Sequence, residues 1–282
     1  MQSWEPTRRN FTRYLLSSGK APNTASTYAS NLSIFWRYCA QYEISPYDAD
    51  RAMLRDWIAS RLAAVSSARV HNDLAALRLF FGWLRETRDR DDDPTTGVRV
   101  KRTKALPTEP LQQTDLDQLL AACLDERDRL MLLMLAATGL RISELASLTA
   151  EAIDWQRGLI KVLGKGDKER LVAPAPDVLA QLHAWTGMFP TGPLWLSKHL
   201  HQPLSAHQIR KILYDVARRA NLSSIHPHRF RSYFATQYIE QFADIQALQG
   251  VMGHESIETT ARYSEATRQR RGLDMMRALK IS

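Results

Sequence analysis

Apolar residues at helical spacing run through the opening part of this 282-residue chain and leave little scope there for anything but helix. Val70, Leu74, Leu77, Phe81 and Leu84 follow a 4-3-4-3 rhythm, which lines one face of an α-helix. Tyr28, Leu32, Phe35 and Cys39 repeat it. Asn23 or Thr24 is the expected N-cap of that earlier helix, because a short polar side chain there accepts an orphan backbone N–H. A shorter helix is expected over 52–62 and another over 8–17, making a small four-helix domain.

The rhythm then stops. Residues 88–94 and 101–107 are rich in charge and proline. The domain boundary is placed within them, giving an amino-terminal domain of 1–103 and a carboxy-terminal domain of 104–282. The basic segment from Val100 to Lys104, with Lys101, Arg102 and Lys104, reads equally as a solvated tether or as a strap that tracks phosphates.

Beyond the boundary, Thr114 starts a helix with Leu116, Leu119 and Leu120, and an apolar core helix is expected over 127–137. A β-hairpin follows, with a strand over 158–163, a tight turn over 164–167 and a return over 168–172 that Pro174 and Pro176 end. Helices are expected over 176–185, 206–220, 227–240, 244–252 and 268–279. The fold class is mainly α with a small β-sheet.

Lys and Arg outnumber Asp and Glu by 38 to 30, a net charge of +8 that favours a polyanionic partner. Cys39 and Cys123 share no metal-type spacing and read as buried thiols in a reducing cytosol. No apolar run approaches the roughly 20 residues that span a bilayer, and the first residues lack a signal peptide's apolar core. A cytoplasmic protein without a membrane partner is expected.

Four motifs carry the chemistry: Thr138-Gly139-Leu140-Arg141-Ile142-Ser143-Glu144, Gly164-Lys165-Gly166, His228-Arg229-Phe230-Arg231, and Gly253-His254 followed by Tyr263. Tyr263 is the candidate nucleophile: covalent catalysis by a phenol splits strand exchange into two easier steps. Arg141 and Arg231 are candidate clamps, since planar guanidinium forks match the oxygens of a phosphoryl transition state. Arg141 follows a helix-ending signal and is expected to open a new helix whose backbone N–H groups also face an anion. His228 and Arg231, three apart, share a helix face. A metal reading of His226 and His228 lacks a completing cysteine or carboxylate pattern. Lys165, between two glycines at a hairpin tip, has the reach to protonate a departing 5′-oxygen, with Lys168 and Arg170 as rivals.

In that order and spacing, these motifs resemble the tyrosine recombinase (lambda integrase) family, most closely its short two-domain Xer-type members. The resemblance covers nearly the whole chain. It implies an amino-terminal SAM-like core-binding domain and a carboxy-terminal catalytic domain. Arg141, His228, Arg231 and His254 match the residues that activate the scissile phosphate. Lys165 matches the general acid, Glu144 an acidic residue that supports the site, and Tyr263 the nucleophile that forms a 3′-phosphotyrosyl link. Thr24, Tyr28 and Arg78 lie in segments resembling the DNA-facing helices. The partner implied is a double-stranded DNA recombination site, bound by a tetramer on two sites whose C-terminal helices are exchanged between protomers. A second recombinase partner fits as well. No cofactor, ATP or metal is implied. Dimer or cointegrate resolution and mobile-element integration or excision are the roles expected. An idle DNA-binding module and a type IB topoisomerase-like nicking enzyme are the rival readings.

Overall fold

The computed structural model describes residues 4–87, 89–101, 110–164, 168–188, 190–198 and 200–253. The chain divides into two compact units, Met1–Pro107 and Thr108–Ser282.

Four helices build the first unit: α1 (Trp4–Ser17), α2 (Pro22–Gln41), α3 (Arg51–Ala64) and α4 (Ser67–Glu86). The 4-3-4-3 residues of α4 are all fully buried, as are Leu32, Phe35 and Cys39 of α2. Phe80 sits at the centre of an aromatic cluster, edge-on to Phe11 at 5.7 Å and to Phe81 at 5.3 Å. Buried Asp73 ties α4 to α3 by accepting from Arg61 at 2.8 Å.

Two expectations for this unit are corrected. The N-cap of α2 is Ala21, without a side-chain cap, and not Asn23 or Thr24. Pro22 takes the first helical position, where its fixed φ and missing N–H cost nothing, so Asn23 and Thr24 fall inside the first turn. The segment entering the boundary is not all solvated tether either. Val98 and Val100 are buried in the amino-terminal core, and Arg78 Nη2 donates to the Val98 carbonyl at 2.8 Å.

The second unit runs α5 (Gln113–Ala121), α6 (Glu126–Thr138), α7 (Ile142–Ala146), β1 (Ile153–Asp154), β2 (Leu159–Leu163), β3 (Glu169–Val172), α8 (Pro176–Met188), α9 (Ala206–Arg219), α10 (Pro227–Phe242) and α11 (Ile245–Met252). The strands form one antiparallel sheet in sequential order, with Ile160 opposite Val172 and Val162 opposite Arg170. Past its charged first turn α6 is apolar all round and buried, packed against α10. Its core partners include Leu145, Ile160, Leu182, Leu213 and Phe230. Trp195 is fully buried, and its indole N–H donates to the Leu145 carbonyl at 2.8 Å. No helix among the described residues is long and apolar enough to cross a membrane.

Candidate active site

α6 ends on Gly139, whose φ of +63° is the left-handed C-cap conformation. A side chain there would also strike Phe234, because an added Cβ falls 2.5 Å from its ring. The chain therefore turns sharply, and Arg141 becomes the N-cap of α7. Three residues on, Glu144 folds back on it. One carboxylate oxygen accepts the Arg141 backbone N–H at 2.7 Å, and the other accepts Arg141 Nη1 at 2.7 Å. At this helix start Glu144 takes the Arg141 backbone N–H itself.

Arg170 completes the arrangement. It was weighed as a rival general acid, yet its head is turned inward and bound. Nη1 and Nη2 donate to the two Glu144 oxygens at 2.8 and 2.7 Å, and Nε donates to the Val251 carbonyl at 2.9 Å. Lys168, just before β3, is exposed. Burial alone raises the Glu144 pKa, but the hydrogen bonds from Arg170 and Arg141 outweigh it and hold the carboxyl down to about 2.

Arg231 reaches the same place from α10. It is 4% exposed. Its Nη1 donates to the Gly139 carbonyl at 2.6 Å and its Nη2 to the Met252 carbonyl at 2.5 Å. Arg141 Nη2 donates to the Gly253 carbonyl at 3.2 Å. Three arginines therefore meet three consecutive carbonyls, Val251, Met252 and Gly253, at the C-terminal end of α11. Those carbonyls lack helical partners and carry the negative end of the helix dipole, so they suit guanidinium groups. Two of these heads, Arg141 and Arg170, also share the Glu144 carboxylate. Gly253 has φ +60°, and a Cβ there would lie 3.2 Å from Arg170 Cδ.

His228 lies one turn before Arg231 on α10. Desolvation, then the Arg231 charge and His226, lower its pKa below the ordinary 6.5, which leaves a neutral imidazole near pH 7. His226 is lowered by desolvation and by Arg229.

The structure thus brings together Arg141, Glu144 and Arg231, with His228 on the Arg231 helix. Lys165, His254 and Tyr263 lie outside the described residues, as do Arg102, Lys104 and the helix expected over 268–279. Of their neighbours in sequence, Gly253 and Gly164 both lie beside Arg170: a Cβ on Gly253 would fall 3.2 Å from its Cδ, and one on Gly164 3.5 Å from its Nη1. Thr24 and Lys101 are exposed and Tyr28 is half-buried; with Arg78 they belong to the amino-terminal unit.

Two features escaped the sequence reading. One is the part played by Arg170. The other is the basic face of α9, a helix expected over 206–220, which buries Ile209, Leu213, Val216 and Ala217 and exposes His207, Arg210, Lys211, Tyr214 and Arg218 along its opposite side. Its amphipathic spacing with clustered bases was the available signal.

Glu144→Gln is expected to destabilise the fold by roughly 3 kcal/mol at pH 7, since it leaves the Arg170 charge buried without its anion. The sign in pH follows from the depressed carboxyl. The unfolded chain, near the ordinary 4.5, takes up the proton before the folded one does. The contribution is whole above about pH 5 and drains as pH falls from 4.5 toward about 2. Thermal melts of both proteins across pH 3–8 should therefore converge at the acid end.

Residues 109–270 match the family described as the phage integrase family, and residues 9–87 match its N-terminal SAM-like domain. The chain is 31% identical over 267 residues to tyrosine recombinase XerC of Chromobacterium violaceum, covering 91% of this chain and 88% of that protein. It is 30% identical over 271 residues to tyrosine recombinase XerD of Shewanella oneidensis, covering 90% and 89%. Among solved structures, a lambda integrase dimer bound to a COC′ core site superposes with a TM-score of 0.74 at 16% identity, over 92% of this chain and 94% of that one. XerH bound to palindromic difH substrate in a post-cleavage complex superposes with a TM-score of 0.69 at 21% identity, over 87% and 77%. These structural likenesses speak to the fold.

Proposed function

The chain belongs to the phage integrase family, the tyrosine recombinases that break and rejoin DNA at specific sites, and on that premise we propose how its own residues do so. Arg141 and Arg231 bind the non-bridging oxygens of the scissile phosphate, with His228 and His254 beside them. The Tyr263 phenol oxygen attacks phosphorus. The bond from phosphorus to the 5′-oxygen breaks, the phenol proton passes to a neighbouring base, and Lys165 protonates the departing 5′-oxygen. A 3′-phosphotyrosyl link stores the bond energy until a second strand's 5′-hydroxyl attacks it and releases the tyrosine. No net hydrolysis occurs, so neither ATP nor a metal is required. Glu144 holds Arg141 in place.

One observation carries this reading: three arginines from separate elements converge on the end of α11. Guanidinium groups gathered at one point suit an anion with several oxygens.

DNA is the partner. We assign 1–103 to DNA binding and 104–282 to catalysis. Thr24, Tyr28, Arg78, Lys101, Arg102 and Lys104 are proposed contacts of the amino-terminal domain, and the basic side of α9 is a phosphate-tracking surface of the catalytic one. Strand exchange between two sites calls for a tetramer, with the C-terminal helix carrying Leu273, Met276 and Leu279 passed to a neighbouring protomer, alone or beside a second recombinase. Resolution of dimers or cointegrates and element integration or excision use this same chemistry. DNA as substrate places the protein in the bacterial cytoplasm.

Lys165→Ala tests the acid. Its cleavage should fall by about 10²–10⁴-fold on ordinary DNA and recover on a substrate with a 5′-bridging sulfur, whose thiolate leaves without a proton. An equal defect on both substrates moves the role to Lys168 or another group, Arg170 being committed to Glu144 and Val251.

A further inference from the structure

β3 alternates its side chains. Glu169 and Leu171 face solvent, whereas Arg170 and Val172 point to the core side. An arginine in such a position is costly unless every face of its head is used. Here it is used fully: the Arg170 side chain is 10% exposed and spends its fork on both Glu144 oxygens and its Nε on Val251.

The consequence falls on Arg141. A carboxylate offers about four acceptor positions. Glu144 fills them with the Arg141 backbone N–H, Arg141 Nη1 and the two Arg170 nitrogens. Because Arg170 takes half of that capacity, Arg141 cannot close a two-pronged pair with Glu144. Among the described residues it gives Glu144 its Nη1 only and turns Nη2 to Gly253. A guanidinium has five donor hydrogens, so Arg141 keeps donors to offer an anion. Arg170 meanwhile anchors the carbonyl of Val251, next to those held by Arg231 and Arg141, and its side chain leaves little room for a Cβ on Gly253, the residue before His254.

We propose that Arg170 is a positioning residue for strand cleavage: it joins β3, the Glu144–Arg141 unit and the end of α11 in one arrangement and keeps Arg141 turned toward the scissile phosphate. This rests on the recombinase reading given above. Arg170 itself need not touch DNA.

The test compares Arg170→Met, Arg170→Lys and the wild type on a nicked suicide substrate, measuring DNA affinity, covalent adduct rate and the pH profile of that rate. Arg170→Met should bind DNA within about threefold of wild type and cleave about 100-fold more slowly, as displaced catalytic groups do. Its acid limb should begin at a higher pH than that of the wild type, since Glu144 keeps its burial but loses its strongest hydrogen-bond donor, takes up a proton more readily and lets Arg141 go. Arg170→Lys keeps charge but not the fork, and should be intermediate. Wild-type protein that forms no adduct defeats the recombinase reading. Wild-type protein that forms one, with Arg170→Met equally fast and its profile unchanged, overturns the Arg170 proposal alone. If Arg170→Met does not melt cooperatively, Arg170→Lys carries the comparison: a slower rate with the acid limb at higher pH supports positioning. A wild-type rate, or loss of folding in this variant too, overturns it in favour of a purely structural role.

Discussion

Tyr263→Phe is expected to bind its DNA site as tightly as the parent chain and to leave no covalent adduct. The substitution removes one oxygen, so packing and charge stay as they are while the attacking atom is gone. The loss should be at least about 10⁴-fold, the scale seen when a covalent nucleophile is deleted. No described tyrosine of the catalytic unit is an evident substitute. Tyr233 directs its hydroxyl to Gln113, and its pKa is raised by desolvation and by the charges of Asp117 and Glu240. Tyr238 packs at a tilt between Phe234 and Phe242, and Tyr214 lies on the outer side of α9. A denaturing gel of a nicked suicide substrate reads the result directly. Adduct persisting in Tyr263→Phe would place the nucleophile elsewhere in the chain.

Arg141→Ala and Arg231→Ala should each slow cleavage by about 10²–10³-fold, the usual effect of deleting one preorganised donor to a charged transition state. Their effects on folding should differ. Arg231 is 4% exposed and bonds Gly139 and Met252, so truncation leaves two carbonyls unmatched. That costs about 1–3 kcal/mol for each buried group. The Arg141 side chain is 36% exposed, and Arg170 continues to satisfy Glu144 when it is removed. Arg141→Ala should therefore melt near wild type while cleaving poorly. Calorimetry beside single-turnover cleavage separates the two.

Much of the scaffold was legible in the residues, for local reasons. α4 announced itself because every core-facing residue repeats at 3.6-residue spacing, and the β2–β3 hairpin because glycines flank its tip. The start of α2 was misread because proline at the first helical position outcompetes polar caps. β1 is two residues long, too short for any period. Val98 and Val100 lie in a charge-rich stretch, and only tertiary packing draws them into the core.

For the site, the residue types were legible but their meeting point was not. Arg141, Arg170, Arg231 and Val251–Gly253 come from four separate elements, and no spacing rule joins them. Arg170 reads in sequence only as a rival basic residue near the hairpin tip, because a strand arginine there is ordinarily a surface residue. Only strand register turns it inward to Glu144.

The central claim is that Arg141 and Arg231 act on the charge of the scissile phosphate. It is tested most directly by replacing one non-bridging oxygen of that phosphate with a methyl group, which removes the charge. The account predicts that cleavage by Arg141→Ala, and by Arg231→Ala where it folds, rises at least about tenfold on the neutral linkage relative to ordinary DNA. Both variants remaining equally slow on the two substrates would contradict it.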